Sequence, residues 1–425
     1  MPDLSDLRER FPALRREHDG RLAAFLDAPG GSQVPETVIE AMAAYLRSSN
    51  ANTHGAFATS QETDAVIEEA HLAAADLLHA DPDEVVFGPN ATTLLLAISR
   101  SVGRTLGPGD EVVVTRLDHD ANVRPWVLTA RDAGATIRWV DIRDEDVTLD
   151  LASFEDALSE RTKVVAFTLA SNAVGTITPA AKLARLVHER TPAIVACDGV
   201  HLAQHRSIDV RALGVDLLAC SPYKIFGPHL GILFGRRDLL RSLTPYKVRP
   251  ASDDLPYRFE TGTQNHEGLA GWTATVEYLA EVGRTHGEPA GPSRREAVVA
   301  AFDAFGAWEE PLSARFLEGA RSLRGLRLYG ITDPERLAER TPTFAVRLGE
   351  QHPFETAKAL GERGIYVWDG HYYALELMER LGLQETGGAV RIGFCHYNTP
   401  AEVDRVLEEL SAWPDANRSR VSAGC

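Results

Sequence analysis

Lys224 is the side chain whose position most clearly predicts covalent chemistry. It is one of only five lysines in the 425 residues, and it follows the apolar run DLLACS and precedes IFGPHLGIL. This context predicts an amine at the carboxyl end of a buried strand, the edge where open α/β sheets bind ligands. Burial disfavours the ammonium form, so the amine is available to form an imine. A turn lysine whose amine reaches solvent is the alternative interpretation.

Two further groups could bind a ligand together with this amine. Asp198 ends the apolar run IVACD, and a buried carboxylate needs a cationic partner such as a protonated pyridine ring. The segment FGPNATTLLLAIS predicts a strand, a turn and a helix that starts at Ala91, Thr92 and Thr93. The free N–H groups and positive end of such a helix suit a phosphate. A turn aspartate, and a helix start simply capped by Asn90 or Thr92, are the alternatives.

The elements that position these residues alternate between two patterns. From residue 84 to 236, apolar β-branched runs such as EVVVTRL and KVVAFTLAS alternate with helical patterns. This order predicts a largely parallel sheet covered by helices on both faces. The last two strands are close in the chain and joined through a Gly/Pro turn, which predicts an antiparallel neighbour.

The length predicts two lobes, because a single core stops growing at roughly 250 to 300 residues. The Gly, Pro, His and Glu residues from Gly283 to Pro292 mark a boundary, and strands and helices follow to about Trp413. We therefore predict four parts. These are an N-terminal segment packing on either lobe (1–20), a large domain (21–285), a small C-terminal domain (286–413) and a flexible tail (414–425).

Composition excludes several functions. The formal charge is −17, with no Lys/Arg block, so the surface would repel nucleic acid. The N-terminus lacks a signal-peptide pattern, and no apolar run approaches the length of a membrane span. The four cysteines form no CxxC pair, which argues against disulfides and thiolate metal sites. We expect a cytoplasmic protein with neither nucleic-acid nor membrane partners and no metal.

The chain resembles the class V aminotransferases, specifically the cysteine desulfurases and their relatives. The specific motifs are DGVH at 198–201 and SPYKIFGP at 221–228, and similarity extends from FLDAPGGSQVP to VRIGFCHYNTPAEVD. The resemblance implies an α/β enzyme of PLP fold-type I. Such an enzyme has a large, mostly parallel seven-stranded sheet domain and a smaller α+β C-terminal domain. It also implies pyridoxal 5'-phosphate (PLP) as cofactor and a homodimer with its active site at the subunit interface.

The resemblance also implies roles for individual residues. Lys224 would hold the cofactor as a Schiff base and move the substrate Cα proton, and Asp198 would pair with the pyridine nitrogen. Arg391 would bind the substrate carboxylate through a bidentate pair, against the alternative of a strand-end salt bridge. The remaining candidates are the phosphate ligands Ala91, Thr92, Ser221 and Thr263 of the partner subunit, the cofactor neighbours Asn172 and His201, and the substrate neighbours Asn172, His371 and Tyr373.

Four positions depart from the desulfurase pattern. Tyr223 replaces a histidine before the lysine and can still donate a hydrogen bond. The stretch DHDAN puts Asp120 where an imidazole usually stacks on the cofactor ring, with His119 one residue earlier, and Asp120 could instead bind an amine substrate. In the loop WDGHYYALE, Tyr373 stands in place of the sulfur-accepting cysteine. Trp368 replaces an arginine and makes the substrate entrance more apolar.

These features predict a lyase-type reaction at Cα of an amino acid, with carbon–sulfur cleavage favoured by the resemblance and persulfide transfer disfavoured. Amino transfer or epimerisation shares the early steps and is the alternative within this fold. A non-catalytic scaffold or sulfur-relay partner is the alternative from another class. Retention of Lys224, Asp198 and Arg391 together argues against the scaffold, since pure binding needs none of them.

Overall fold

The computed structural model describes residues 3–421, with side chains for residues 3–412. The strands in chain order are β1 (Glu17–His18), β2 (Arg21–Leu22), β3 (Ala24–Phe25), β4 (Val85–Gly88), β5 (Glu111–Thr115), β6 (Thr136–Val140), β7 (Thr162–Thr168), β8 (Ile194–Asp198), β9 (Leu217–Cys220), β10 (Gly231–Gly235), β11 (Leu326–Tyr329), β12 (Thr343–Leu348), β13 (Ile365–Tyr366), β14 (Trp368–Gly370) and β15 (Ala389–Gly393).

The helices cover both faces of the main sheet and one side of the second sheet. They are α1 (Glu36–Ser48), α2 (Ala58–Leu78), α3 (Ala91–Gly103), α4 (Arg124–Ala133), α5 (Leu151–Ala157), α6 (Ala180–Arg190), α7 (Val210–Leu213), α8 (Arg237–Ser242), α9 (His266–His286), α10 (Arg294–Arg321), α11 (Pro353–Gly361), α12 (Leu375–Arg380) and α13 (Pro400–Val421).

The main sheet has seven strands in the order β4-β10-β9-β8-β7-β5-β6. Only β10 runs against its neighbours, pairing antiparallel with both β4 and β9. The ten residues 221–230 between β9 and β10 are too few for the crossover that parallel strands require. The central strands β5 and β9 are buried along their whole length, and β8 is buried except for its first residue, Ile194, as their near-continuous apolar sequences require. The predicted fold class, a mostly parallel seven-stranded sheet, is confirmed.

The second sheet is antiparallel, in the order β11-β12-β15-β14. Its apolar face forms a separate core with α10, α11 and α13. β3 pairs with β13, and Ala24 and Leu26 lie in this second core. Ala23, Phe25 and Ala28 alternate with them and lie in the main core, so this segment contributes to both cores. The start of the large domain at residue 21 stays a prediction.

The N-terminal segment packs against both domains at once. Phe11 is fully buried, and its ring makes edge contacts with Phe226 and Tyr278 of the large domain. On its other side Phe11 contacts His396 and Tyr397, which follow β15. The sequence left open which lobe the N-terminal segment packs on, and in the structure its residue Phe11 contacts both domains.

At the other end, α13 continues to Val421, past the predicted helix end near Trp413. No glycine lies between Pro400 and Val421 to terminate the helix. Residues 422–425 of the predicted flexible tail, Cys425 included, are outside the described residues. No helix in the described part of the chain is both long enough and apolar enough to cross a bilayer.

Candidate active site

A cavity lies at the carboxyl ends of β7, β8 and β9, where α3 begins. The strand order brings together residues that are far apart in the sequence at this single edge. The lining residues are Ala91, Thr92, His119, Ala121, Thr168, Ala170, Asn172, Asp198, Val200, His201, Ser221, Tyr223 and Lys224.

Lys224 ends a single helical turn, Pro222–Lys224, directly after β9. The side chain is buried, and its Nζ donates a 2.7 Å hydrogen bond to the carbonyl oxygen of Pro29. Burial, reinforced by the positive charge of Arg391 and opposed by Asp198, lowers the pKa of Lys224 to about 7. A substantial fraction of the amine is therefore neutral near pH 7 and able to attack a carbonyl.

Asp198 is the last residue of β8, next to β9 in the sheet. Its Oδ1 accepts a 2.8 Å hydrogen bond from the backbone N–H of Val200. Burial raises the pKa of Asp198 to about 6, although Lys224 opposes the shift. A cation in the cavity would stabilise the carboxylate form, which is the partner a protonated pyridine ring needs.

The start of α3 forms an anion-binding corner. Asn90 caps the helix, its side chain accepting a 2.8 Å bond from the N–H of Thr93, and Ala91 and Thr92 line the cavity. β10 approaches this turn so closely that a methyl group added at Gly231 would lie 2.3 Å from the carbonyl carbon of Asn90. Free first-turn N–H groups and the helix dipole favour a phosphate here.

Asn172 and His201 each present one unpaired polar atom. Asn172 donates from Nδ2 to the carbonyl of Tyr372 at 2.9 Å, and His201 Nε2 lies 3.0 Å from Thr341 Oγ1. Asn172 Oδ1 and His201 Nδ1 are buried without a hydrogen-bond partner among the described residues. Buried polar atoms normally have partners, so these two fit the polar edge of a bound ligand.

Arg391, on β15, carries the second cation of the site. It is buried, donates from Nη1 to the carbonyl of Asn172 at 2.9 Å, and lies over the ring of Tyr372 at 4.5 Å. Burial lowers the pKa of Arg391 to about 10, so it remains charged at neutral pH. Its Nε has no partner within the described part of the chain, which leaves a donor for an incoming carboxylate.

Asp120 and its neighbour His119 lie differently relative to the cavity. His119, not Asp120, lines the cavity. Asp120 is half-buried, and its backbone N–H donates to the carbonyl of Tyr373 at 2.7 Å. His119 caps the short turn Asp120–Asn122 by accepting the N–H of Ala121 at 3.0 Å, which fixes its ring. The imidazole is therefore retained at the cavity, one residue earlier than the motif comparison predicted.

His119 is a neutral ring at physiological pH. Burial, together with the charges of Lys224 and Arg391, lowers its pKa to about 3. Its ring is nearly parallel to that of Tyr373, with centroids 5.5 Å apart and an interplanar angle of 19°. An uncharged imidazole at this position can pack against a flat ligand without charge repulsion.

The remaining predicted residues lie around the cavity in different ways. Ser221 and Tyr223 line it, and the Tyr223 ring stacks on His229 at 5.2 Å. Tyr373 is exposed and reaches the site through His119, and His371 contacts Tyr373 edge-on. Thr263 is exposed and is not part of this cavity.

Sequence reasoning missed the residues that hold the predicted ones. The carbonyl oxygen of Pro29 accepts a hydrogen bond from the Lys224 amine, the ring of Tyr372 lies beneath Arg391, and the hydroxyl of Thr341 contacts His201. Asp118 was missed as well: burial raises its pKa to about 7, and Asn122 donates to it at 2.8 Å. Asp118 directly precedes the candidate His119 in the sequence, and this proximity could have identified it. The other three contacts have no local signature.

Taken together, the donors fit a flat phosphorylated pyridine aldehyde. Lys224 supplies the amine and Asp198 the carboxylate for the ring nitrogen. The start of α3 supplies the anion site, and the unpaired atoms of Asn172 and His201 supply polar contacts. This is the donor set that PLP requires.

Comparisons with known proteins agree with this geometry. The aminotransferase class-V family model matches residues 24–406. A probable cysteine desulfurase of Streptomyces coelicolor is 32% identical over 433 residues, covering 96% of this chain and 97% of that protein. A cysteine desulfurase of Klebsiella pneumoniae is 32% identical over 420 residues, covering 95% of this chain and 96% of that protein.

Solved structures are similar over the same extent. The apo structure of a cysteine desulfurase from Thermococcus onnurineus has a TM-score of 0.84 at 27% identity, covering 96% of both chains. A C-DES mutant with glycine covalently linked to its PLP cofactor has a TM-score of 0.79 at 18% identity, covering 97% of this chain and 99% of that one. The second likeness concerns the fold alone.

Proposed function

Because the chain belongs to the aminotransferase class-V family, as a PLP-dependent enzyme of the cysteine desulfurase-like group, we propose that it is a carbon–sulfur lyase. The proposed substrate is an α-amino acid with sulfur on Cβ, and the thiol leaves without forming a protein persulfide. The observation that carries the proposal is a buried pair of cations, Lys224 and Arg391, in a site with no accessible described cysteine.

PLP, when bound, supplies an electron sink at the substrate Cα. Asp198 would keep its pyridine nitrogen protonated, and the α3 start with Thr92 and Ser221 would hold its phosphate. Asn172, His201 and Tyr223 would contact its polar edge. The support is that each of these residues lines the cavity.

Arg391 would bind the substrate carboxylate and so orient the Cα–H bond toward Lys224. The neutral amine of Lys224 then accepts the Cα proton. The Cβ–S bond breaks with its electron pair remaining on sulfur, which is released as a thiol after protonation. Water converts the remaining three-carbon unit to pyruvate and ammonium, so that one substrate and one water give thiol, pyruvate and ammonium. Neither oxidant nor reductant is needed.

The cysteines support release of free thiol. A sulfur-accepting cysteine must be an accessible thiolate. Cys197, Cys220 and Cys395 are buried, and burial raises the pKa of each thiol. The loop position predicted for the acceptor holds Tyr373. Cys425 lies outside the described residues, so the experiment below includes it.

A homodimer is part of the proposal. The resemblance of the chain to the cysteine desulfurases predicts that Thr263 of the partner subunit contacts the phosphate group of the cofactor. In a single chain Thr263 is exposed and away from its own cavity, which is compatible with that role. The cytoplasmic location stays a prediction.

The test is product analysis with purified holoenzyme on S-substituted cysteines and, for the persulfide measurement, on free L-cysteine, whose unsubstituted sulfur is the one a desulfurase would transfer. We expect stoichiometric pyruvate, ammonium and thiol, without dependence on a 2-oxo acid, and intact-protein mass spectrometry without a persulfide adduct. Lys224→Ala should lose both the visible cofactor absorbance and turnover. Alanine with a persulfide on the protein would contradict the proposal. So would turnover only with an amino acceptor, racemised substrate, or a wild-type protein that binds no PLP.

A further inference from the structure

Two large aromatic side chains next to cavity-forming residues are exposed in the single chain. Trp368 is 50% exposed and Tyr373 is 65% exposed, and the Tyr373 ring lies parallel to the cavity-lining ring of His119. We call these three residues the aromatic mouth. Exposed aromatic rings clustered at one site are costly in water and typical of surfaces that bind an apolar ligand.

Trp368, on β14, is positioned by the pairing of β14 with β15, the strand that carries Arg391. The two residues are direct partners in the antiparallel β14–β15 pair, and directly opposed residues project from the same face of a sheet. The indole packs on Gly30, where an added methyl group would lie 2.2 Å from Trp368 Nε1. Gly30 follows Pro29, the residue that accepts the Lys224 amine. The indole therefore lies on the same sheet face as Arg391 and against the backbone next to the carbonyl that binds Lys224.

Tyr373 lies beside His119, and the backbone around it is held by hydrogen bonds. Its carbonyl accepts the N–H of Asp120 at 2.7 Å, and the carbonyl of Tyr372 accepts Asn172. Tyr372 is buried, with its hydroxyl bonded to the carbonyl of Ala389, while Tyr373 is directed outward. Of these two successive tyrosines, Tyr372 points inward and its ring contacts Arg391, whereas Tyr373 points outward and its ring is accessible to a ligand.

The charges of the site favour an uncharged ligand group between these rings. Arg391 is the cation that would bind the α-carboxylate of the substrate. Among the described residues that line the cavity, Lys224 is the one lysine or arginine. His119 is neutral, as its lowered pKa requires. A second carboxylate on the substrate would find no further cation in the cavity lining, whereas an apolar group would find the exposed rings of Trp368 and Tyr373 beside the site.

We infer that the aromatic mouth selects amino acids whose sulfur carries an aromatic group, such as S-aryl or S-benzyl cysteine, over free cysteine and small S-alkyl cysteines. The inference rests on the proposed function, because it names the leaving group of that lyase reaction. Trp368 and Tyr373 are the specificity-determining residues, and Arg391 holds the carboxylate of every substrate alike.

The first test compares kcat/KM for S-benzyl-L-cysteine and S-methyl-L-cysteine in the holoenzyme. An aromatic pair contributes a factor of about two to ten in affinity, so Trp368→Ala and Tyr373→Ala should each lower the S-benzyl value about two- to tenfold. Both variants should lower the S-methyl value by a smaller factor than the S-benzyl value, so that the ratio of the two values falls. Trp368→Phe should retain most of the preference. Phe354, 51% exposed and outside the cavity lining, provides the control Phe354→Ala, which should change neither value.

A second measurement does not depend on elimination. L-Phenylalanine and L-alanine carry no leaving group, and their dissociation constants follow from titration of the cofactor absorbance. Wild type should bind phenylalanine more tightly, and Trp368→Ala should reduce that preference. Equal affinities of the wild type for phenylalanine and alanine, or equal losses of kcat/KM on the S-benzyl and S-methyl substrates, would overturn the inference. Pyruvate production in the same experiment would still support the lyase. Absence of pyruvate with an intact phenylalanine preference would overturn the lyase and leave the aromatic mouth supported.

Discussion

At the scale of single residues, the reactivity of the site depends on where a few charges are buried. Lys224 and Arg391 are both buried, and each lies in the field of the other. When two like charges are buried together, the stronger acid of the two loses its proton first, and that acid is the Lys224 ammonium group, since guanidinium keeps its proton. The same burial that makes Lys224 reactive therefore leaves Arg391 as the permanent cation.

The first residue-scale prediction concerns pH. The pKa of Lys224 is lowered from 10.5 to about 7, and only the neutral amine attacks an aldehyde. The rate of PLP capture by the apoprotein should therefore rise with pH through a midpoint near 7. Stopped-flow measurement of the cofactor absorbance would give the midpoint.

Arg391→Gln tests the cause of this pH dependence. Removing the guanidinium removes a charge that lowers the pKa of Lys224, so the midpoint should move to higher pH. Lys224→Ala is the control and should show no capture phase. A wild-type midpoint close to that of free lysine, or no shift in Arg391→Gln, would refute the electrostatic explanation.

At the scale of elements, the anion site depends on how closely β10 approaches α3. Gly231 opens β10 and lies against the backbone of Asn90 and Ala91. A side chain at this position would displace the first turn of α3, whose N–H groups and positive dipole end face the cavity. The glycine is required by this contact with a neighbouring backbone.

Gly231→Ala should therefore weaken cofactor binding. Loss of favourable helix-start contacts with a phosphate corresponds to about a tenfold rise in the PLP dissociation constant. Equilibrium titration of the apoprotein would measure it, with thermal unfolding recorded in parallel. Gly361→Ala, at the end of α11, is the matched control, because an added methyl group there meets nothing within 4 Å. Unchanged PLP affinity in Gly231→Ala would argue against the α3 start as the phosphate site.

At the scale of the whole molecule, the two domains are joined by contacts around the N-terminal segment and the site. Phe11 lies among rings of both domains. Arg391 of the small domain bonds to Asn172 of the large domain across the cavity. Substrate-binding and cofactor-binding groups thus belong to different domains, and their distance is set by how the domains dock.

Phe11→Ala should destabilise the molecule by about 3 to 5 kcal/mol, because it removes a fully buried ring from a packed core. Denaturant unfolding of the apoprotein would measure the loss. Phe354→Ala, at an exposed ring, should change the free energy of unfolding by less than about 0.5 kcal/mol. Similar effects of the two substitutions would mean that the N-terminal segment contributes little to domain docking.

How much of this could be predicted follows from the range of the interactions involved. Apolar runs and helical periodicity located the strands of the main sheet and the antiparallel β10, because these patterns are local. That Ala24 and Leu26 lie in the core of the second sheet could not be predicted, since it depends on β3 pairing with β13. Which of His119 and Asp120 lines the cavity could not be predicted, because adjacent residues in a turn point in different directions.

The sequence by itself determined the fold class, the family and the residues at the strand ends, since each is written in local patterns and motifs. Only the tertiary structure decided which of those residues meet. Lys224 contacts Pro29 across 195 residues, and Arg391 contacts Asn172 across 219. Such contacts depend on strand order and domain docking, which arise from the packing of the whole chain and leave no signature in a short segment.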